Sequence, residues 1–201
     1  DKYPFWIPQF GHTYKSEQYH MIVPDSDVTR IEYIISGRSV VNSKDMSLIA
    51  ETGDTYILHE GEYQNFYNDI SMPMNKIWIN VTGKLAKEVI DIYGLKDAIL
   101  FKNTDSQKYI ERIHKICLNS NDPYFIQEKV SMLFLNLIQF LSKKYKSITK
   151  ELTPMNTVKS YIDLHLEDDI SMNDLVVLSN MCVEHTIRTF SSQFGITPHQ
   201  Y

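Results

Sequence analysis

Residues 170–201 read ISMNDLVVLSNMCVEHTIRTFSSQFGITPHQY, and the punctuation of this stretch decides how the second half of the chain is organised. Ser171 followed three positions later by Asp174 is a capping-box-like helix start in which Asp replaces the usual Glu or Gln. Leu175, Val176 and Leu178 then mark a short apolar helix, and Asn180-Met181 a tight turn. Arg188, Phe190 and Phe194 sit at helical spacing up to Gly195, a residue suited to a left-handed C-terminal cap. Thr197-Pro198 is one more helix start, with proline in the first turn. Behind these lies an earlier helix that opens at Thr153-Pro154 and carries Val158, Ile162 and Leu166 on one face. Two short helices joined by a turn of about three or four residues are the layout that places a second helix in a DNA major groove.

Toward the N-terminus, SITKELTPMN has the polarity of a short linker, placed at 148–154. Before it, residues 84–147 have a helical period: KLAKEVIDIYG ends on Gly94, the next helix opens near Asp105, and the third begins at Asp122-Pro123. Val130, Leu133, Phe134, Leu137, Ile138 and Leu141 form a stripe on the third helix that is wider than one sheet face needs. Two arrangements satisfy it: core packing throughout, or a homodimer seam that uses Leu133, Leu137 and Leu141. Residues 1–83 alternate or run β-rich, as in TRIEYIIS, DTYILHEG and NKIWINVTG, with turns at Ser36-Gly37, Gly53-Asp54 and Asn68-Asp69. Short strands at this spacing predict a sandwich or barrel. The fold class expected is therefore α+β, a β-domain followed by helices and then a small all-α domain at 155–201.

The composition suits this plan. The chain has 201 residues, 43% of them apolar, and a net charge of −5, which disfavours non-specific nucleic-acid binding by the chain as a whole. Its longest apolar run, MLFLNLIQFL, is about half of a membrane span. Cys117 and Cys182 lie far apart without ligand spacing, which favours a reduced, cytoplasmic setting. No histidine pairs with Ser, Cys or a carboxylate in a recognisable catalytic pattern, so no enzyme activity is expected.

Two separate stretches resemble one family. Leu175, Arg188, Phe190, Gly195, Pro198 and Tyr201 stand where the first helix-turn-helix of AraC-type transcription regulators has its pattern residues, with Thr197 for Ser. Gly37, Gly53-Asp54, Gly61, Pro73, Trp78 and Gly83 are similar, in order, to the cupin-like (jelly-roll) sensing barrel of the same family. The resemblance implies a ligand-responsive DNA-binding regulator cut off before a second helix-turn-helix, with DNA, a small-molecule effector and a second copy as partners. The pattern departs at Val176, Asn180, Cys182 and Thr186, where the family has a small Ala, Gly, Ser and Leu; Ile187 is placed to take over the core role of Thr186. Residues 155–201 hold Lys159 and Arg188 against Asp163, Glu167, Asp168, Asp169, Asp174 and Glu184, a net −4 with histidines neutral. That is a poor phosphate-binding footprint.

In the β-domain, alternation puts Trp78 and Asn80 on one face of their strand and Ile77, Ile79 and Val81 on the other, and groups Gln64, Phe66 and Asn68. An aromatic face beside amides is the chemistry of a saccharide pocket. Either that face or the Ile face lines the barrel interior. Resemblance favours the first, because Gln64, Phe66 and Trp78 match ligand-contacting positions of the family's arabinose-binding member. Arg30, at a strand start, adds a bidentate donor or a surface ion pair. The aromatic N-terminus offers Phe5 and Trp6 either as a lid over the ligand or as packing for a first strand. A metal is not expected: Gln64 stands where many cupin-like chains have His, and His59-Glu60 is not at ligand spacing. No cofactor is expected either. By the same resemblance Glu184, Ile187 and Arg188 are nearest the base edges. The competing classes are a cupin-like metal-dependent enzyme with a helical appendage and a module whose helix-turn-helix contacts protein only.

Overall fold

The computed structural model describes residues 3–14, 19–43, 46–151, 153–166 and 170–201. The acidic break at 167–169 and Leu152 of the expected linker lie outside them. The fold is α+β. Its strands are β1 (Trp6–Thr13), β2 (His20–Val23), β3 (Thr29–Ser36), β4 (Arg38–Ser43), β5 (Met46–Glu51), β6 (Thr55–Leu58), β7 (Gln64–Asn68), β8 (Asn75–Thr82) and β9 (Leu100–Phe101). Its helices are α1 (Lys84–Ile92), α2 (Gln107–Asn119), α3 (Pro123–Glu151), α4 (Pro154–Leu164), α5 (Met172–Ser179) and α6 (Val183–Phe194). Two compact units result, Asp1–Tyr145 and Lys146–Tyr201.

In the first unit two antiparallel sheets are stacked. One has the order β1-β8-β3-β6-β9 and the other β2-β7-β4-β5. Of the sandwich or barrel expected from the strand spacing they form an open sandwich, not the closed barrel that the resemblance implies: among the described residues β1 pairs only with β8 and β2 only with β7. The period of two decides what each face of the first sheet does. Ile31, Ile57, Ile77, Ile79 and Val81 point away from the second sheet and share a core with α1, α2 and α3. Ile34, Tyr56 and Leu58 point inward and meet Val41, Ala50 and Phe66 of the second sheet.

The stripe on α3 is core. Leu137 and Leu141 are fully buried with Val130, Phe134 and Ile138, and Leu133 is half-buried against the same cluster. This corrects the dimer-seam assignment for Leu137 and Leu141. The stripe is wide because α3 has neighbours on several sides: Phe134 meets Phe5 (ring centroids 5.0 Å apart), Phe140 meets Tyr109 of α2 (5.3 Å), and Tyr145 meets Phe101 of β9 (5.9 Å). Gln139 and Ser142 donate to the Tyr93 hydroxyl and carbonyl just beyond α1, both at 2.7 Å. The helix also runs further than expected, through Glu151, so most of the proposed 148–154 linker is helical.

In the second unit α4, α5 and α6 close around Met155, Val158, Ile162, Leu175 and Phe190. The helix starts form as their sequences dictate. Thr153 Oγ1 accepts from Asn156 N, and Ser171 with Asp174 makes both halves of a capping box. Asn180 takes the left-handed conformation at φ 52° and supplies the turn where a glycine is commoner; Gly195, at φ 80°, caps α6. For α2 the cap position is Ser106 rather than Asp105, which pairs with Lys108 at 2.6 Å. Among the described residues no helix is long and apolar enough to cross a membrane.

Candidate ligand and nucleic-acid sites

The inward face of the first sheet is polar. Gln9, Asn80 and Arg30 are direct neighbours across β1, β8 and β3, and the next rung holds Gly11, Trp78 and Glu32. Gly11 is required there, because a Cβ at that position would lie 2.7 Å from the Trp78 ring. The indole donates to Thr13 Oγ1 at 3.1 Å. From the facing sheet, buried Gln64 donates to the His59 carbonyl at 2.8 Å and accepts from Arg30, which also reaches Ser26 Oγ at 2.6 Å.

Deeper inside lies a group that the sequence did not announce. Lys76 and Glu32, both buried, form an ion pair, and the Tyr56 hydroxyl also donates to Glu32. The Lys76 ammonium stands 4.5 Å from the Tyr19 ring centroid and 4.6 Å from that of Phe66, so the rings face it as cation–π partners. Burial pushes the Lys76 pKa down against the opposing pull of Glu32. Burial, then the Glu32 charge, holds the Tyr56 hydroxyl well above its ordinary value, and burial raises Tyr19 likewise. The alternation was legible: Lys76 is two positions from Trp78, and Glu32 two from Arg30.

The structure thus puts the Trp78–Asn80 face, not the Ile face, inside the sandwich. It brings Arg30, Gln64, Trp78 and Asn80 to that interior, with Phe66 further in. Phe5 does not join them. It is a core residue against Phe134, on the helix side of the sheet, which corrects its assignment as a lid. Trp6 stacks on Tyr3 at 5.3 Å, and Tyr3 meets Tyr124 of α3 edge-on at 5.9 Å, so Trp6 too packs as part of the first strand. A cavity of about 330 Å³ lies at one end of the interior, lined by Pro8, Gln9, Asp27, Val28, Arg30 and Thr82. Among the described residues no group of three or more His, Cys, Asp or Glu side chains is placed to hold a metal ion.

In the second unit α5, the Asn180 turn and α6 form a helix-turn-helix. Glu184 and Arg188, one turn apart on α6, are both exposed. The Arg188 guanidinium donates to His185 Nδ1 at 2.8 Å. Ile187 is only half-exposed and lines an apolar cavity of about 510 Å³ with Ile162, Leu175 and Pro198. It does not replace Thr186 in the core. Thr186 is itself fully buried, its hydroxyl bonded to Ser179 Oγ at 2.8 Å and to the Cys182 carbonyl at 3.0 Å. A buried threonine is tolerated here because its polar atom is satisfied.

No protein-family model matches the chain. It is 23% identical over 184 residues to an uncharacterized HTH-type transcriptional regulator, YbfI, of Bacillus subtilis (strain 168), a match covering 85% of this chain and 65% of that relative's length. The chain therefore spans a little under two thirds of that regulator. Among solved structures it is similar to unsaturated fatty acid bound wild-type ToxT from Vibrio cholerae strain SCE256, at 12% identity and a TM-score of 0.43 over 98% of this chain and 94% of that one. It is also similar to the AraC-like transcriptional activator CuxR, at 12% identity and a TM-score of 0.40 over 86% of this chain and 63% of that one.

Proposed function

We propose that the chain is a ligand-responsive, DNA-binding transcription regulator of AraC type, acting in the cytoplasm, whose sandwich senses a small saccharide. The observation that carries this reading is the helix-turn-helix of the second unit, with its capping box, left-handed turn and exposed Glu184 and Arg188, in a chain similar to a helix-turn-helix regulator. The effector is placed on the inward face that joins Arg30, Gln64, Trp78 and Asn80, where an indole wall adjoins amide and guanidinium groups. No dimer is assigned to the α3 stripe, which is core.

Glu184 accepts from a cytosine amine and Arg188 donates to a guanine edge in this reading, while Ile187 stays with its apolar neighbours. The acidic balance of 155–201 offers few cations to phosphate, so binding is expected to be weak and to fall only shallowly as salt rises. Fluorescence anisotropy with duplexes covering the region upstream of the protein's own gene tests this. Binding to one duplex above the rest supports the regulator. Equal indifference to every duplex at low salt, with and without saccharides, overturns it.

A further inference from the structure

Two groups on the inward face of the first sheet lack the partners their chemistry calls for. Asn80 is 3% exposed; its Nδ2 donates to Gln9 Oε1 at 3.0 Å, but its Oδ1 is buried with no hydrogen-bond partner. Buried carbonyl acceptors are almost always paired, so an unpaired one marks a place for a donor. Arg30, directly opposite on β3, donates to Ser26 Oγ and Gln64 Oε1, both neutral, and among the described residues no carboxylate pairs with it. Among the described residues the carboxylate in the sandwich interior is Glu32, already held by Lys76 and Tyr56. Among the described side chains Arg30 and Lys76 thus share Glu32 inside the sandwich, with Asp27 exposed at the rim of the cavity that Arg30 borders. Arg30 and Gln9 border the cavity of about 330 Å³, which is open to solvent beside Asp27.

We infer that the effector of this face is a sugar acid: its carboxylate pairs with Arg30, and a neighbouring hydroxyl donates to Asn80 Oδ1. The inference rests on the reading of the sandwich as a saccharide sensor and adds the charge of the ligand. Guanidinium binds a carboxylate through two parallel N–H donors and gains far more from it than from a neutral hydroxyl. Asp27, exposed at the rim, accepts a hydroxyl at the solvent end and repels a second negative charge, which selects a single carboxylate over a phosphate.

Calorimetric titration of the whole chain with D-galacturonate, D-glucuronate and D-gluconate, each beside neutral D-galactose or D-glucose, tests it. At least one acid is expected to bind at least ~10-fold more tightly than its neutral counterpart, the scale of one charge-assisted hydrogen bond. Arg30→Gln should erase that preference. Asn80→Asp, nearly isosteric, sets a second carboxylate opposite Arg30 and should weaken the acid relative to its neutral counterpart by ~10-fold or more, and serves if Arg30→Gln fails to fold. Equal binding of acid and neutral sugar would overturn the charge assignment while the saccharide sensor stands. Acid binding that survives both substitutions would move the site elsewhere. Binding of neither acids nor neutral sugars would remove the inference together with the saccharide reading beneath it.

Discussion

Replacing Lys76 by Met tests whether the centre of the sandwich is organised by charge. The substitution keeps an unbranched side chain of similar length but removes the ammonium that is paired with Glu32 and faced by the Tyr19 and Phe66 rings. Glu32 would then keep one strong donor, the Tyr56 hydroxyl, in a site almost closed to water. Breaking a buried pair in this one-sided way costs about 3–5 kcal/mol, because a desolvated charge is left without its counter-ion. For a unit of this size that lowers the unfolding midpoint by roughly 10 °C. Removing both charges, as in Lys76→Met with Glu32→Leu, should recover most of the loss, since a well-packed apolar replacement of a buried pair is often neutral or stabilising. Urea unfolding followed by tryptophan fluorescence isolates the effect, because Trp6 and Trp78 are the only two tryptophans and both lie in the first unit. A single-variant loss below about 1 kcal/mol, or a double variant no better than the single, would show that the interior is held by shape and not by the ion pair.

Leu137→Lys buries an ammonium in the shared core of α3 and the first sheet, so loss of folding of the first unit is expected; a folded monomer in sedimentation would restore the dimer seam. Tyr19 and Tyr56 hold their phenol protons above the ordinary value of about 10, whereas the unfolded chain releases them there, so stability should fall as pH rises above about 10, by up to ~1.4 kcal/mol per pH unit for each. Lys76 works in the opposite sense below its own ordinary value, so the comparison that isolates the effect is Tyr56→Phe, which should show a shallower alkaline decline in urea titrations. Gly195→Ala places a Cβ at φ 80° in otherwise open space, and should cost about 1 kcal/mol through the backbone alone, read as faster amide exchange at the end of α6.

The helix starts were legible because they are local. Thr153-Pro154 and Ser171-Asp174 need only their own backbone to act as caps, and the structure shows both. The period of two likewise separated Trp78 and Asn80 from Ile77, Ile79 and Val81, but it did not say which face is inside. That depends on where α1, α2 and α3 pack, which is a non-local fact. The same limit explains the stripe on α3: its width was visible, while the number of neighbours it serves was not. Closure of the barrel depends on pairing at strands β1 and β2, which no alternation pattern encodes. At 186 a polar residue in a core position suggested a substitute next door, because the Ser179 hydroxyl that satisfies Thr186 stands seven residues earlier across the turn. For Phe5 the choice between lid and strand packing stayed open because aromatic content alone cannot distinguish a ligand face from a core face; its partner Phe134 is far along the chain.

Whether α6 reads DNA is tested most directly by selecting bound duplexes from a randomised library, with the protein in the form its gene encodes and with its Arg188→Ala variant. The wild type is predicted to enrich a defined motif, and the variant to lose preference at one base pair of it, a loss of about 1–3 kcal/mol at that position with the others unchanged. A wild type that enriches no motif, or a variant that enriches the same motif with every position intact, would contradict a reading role for α6.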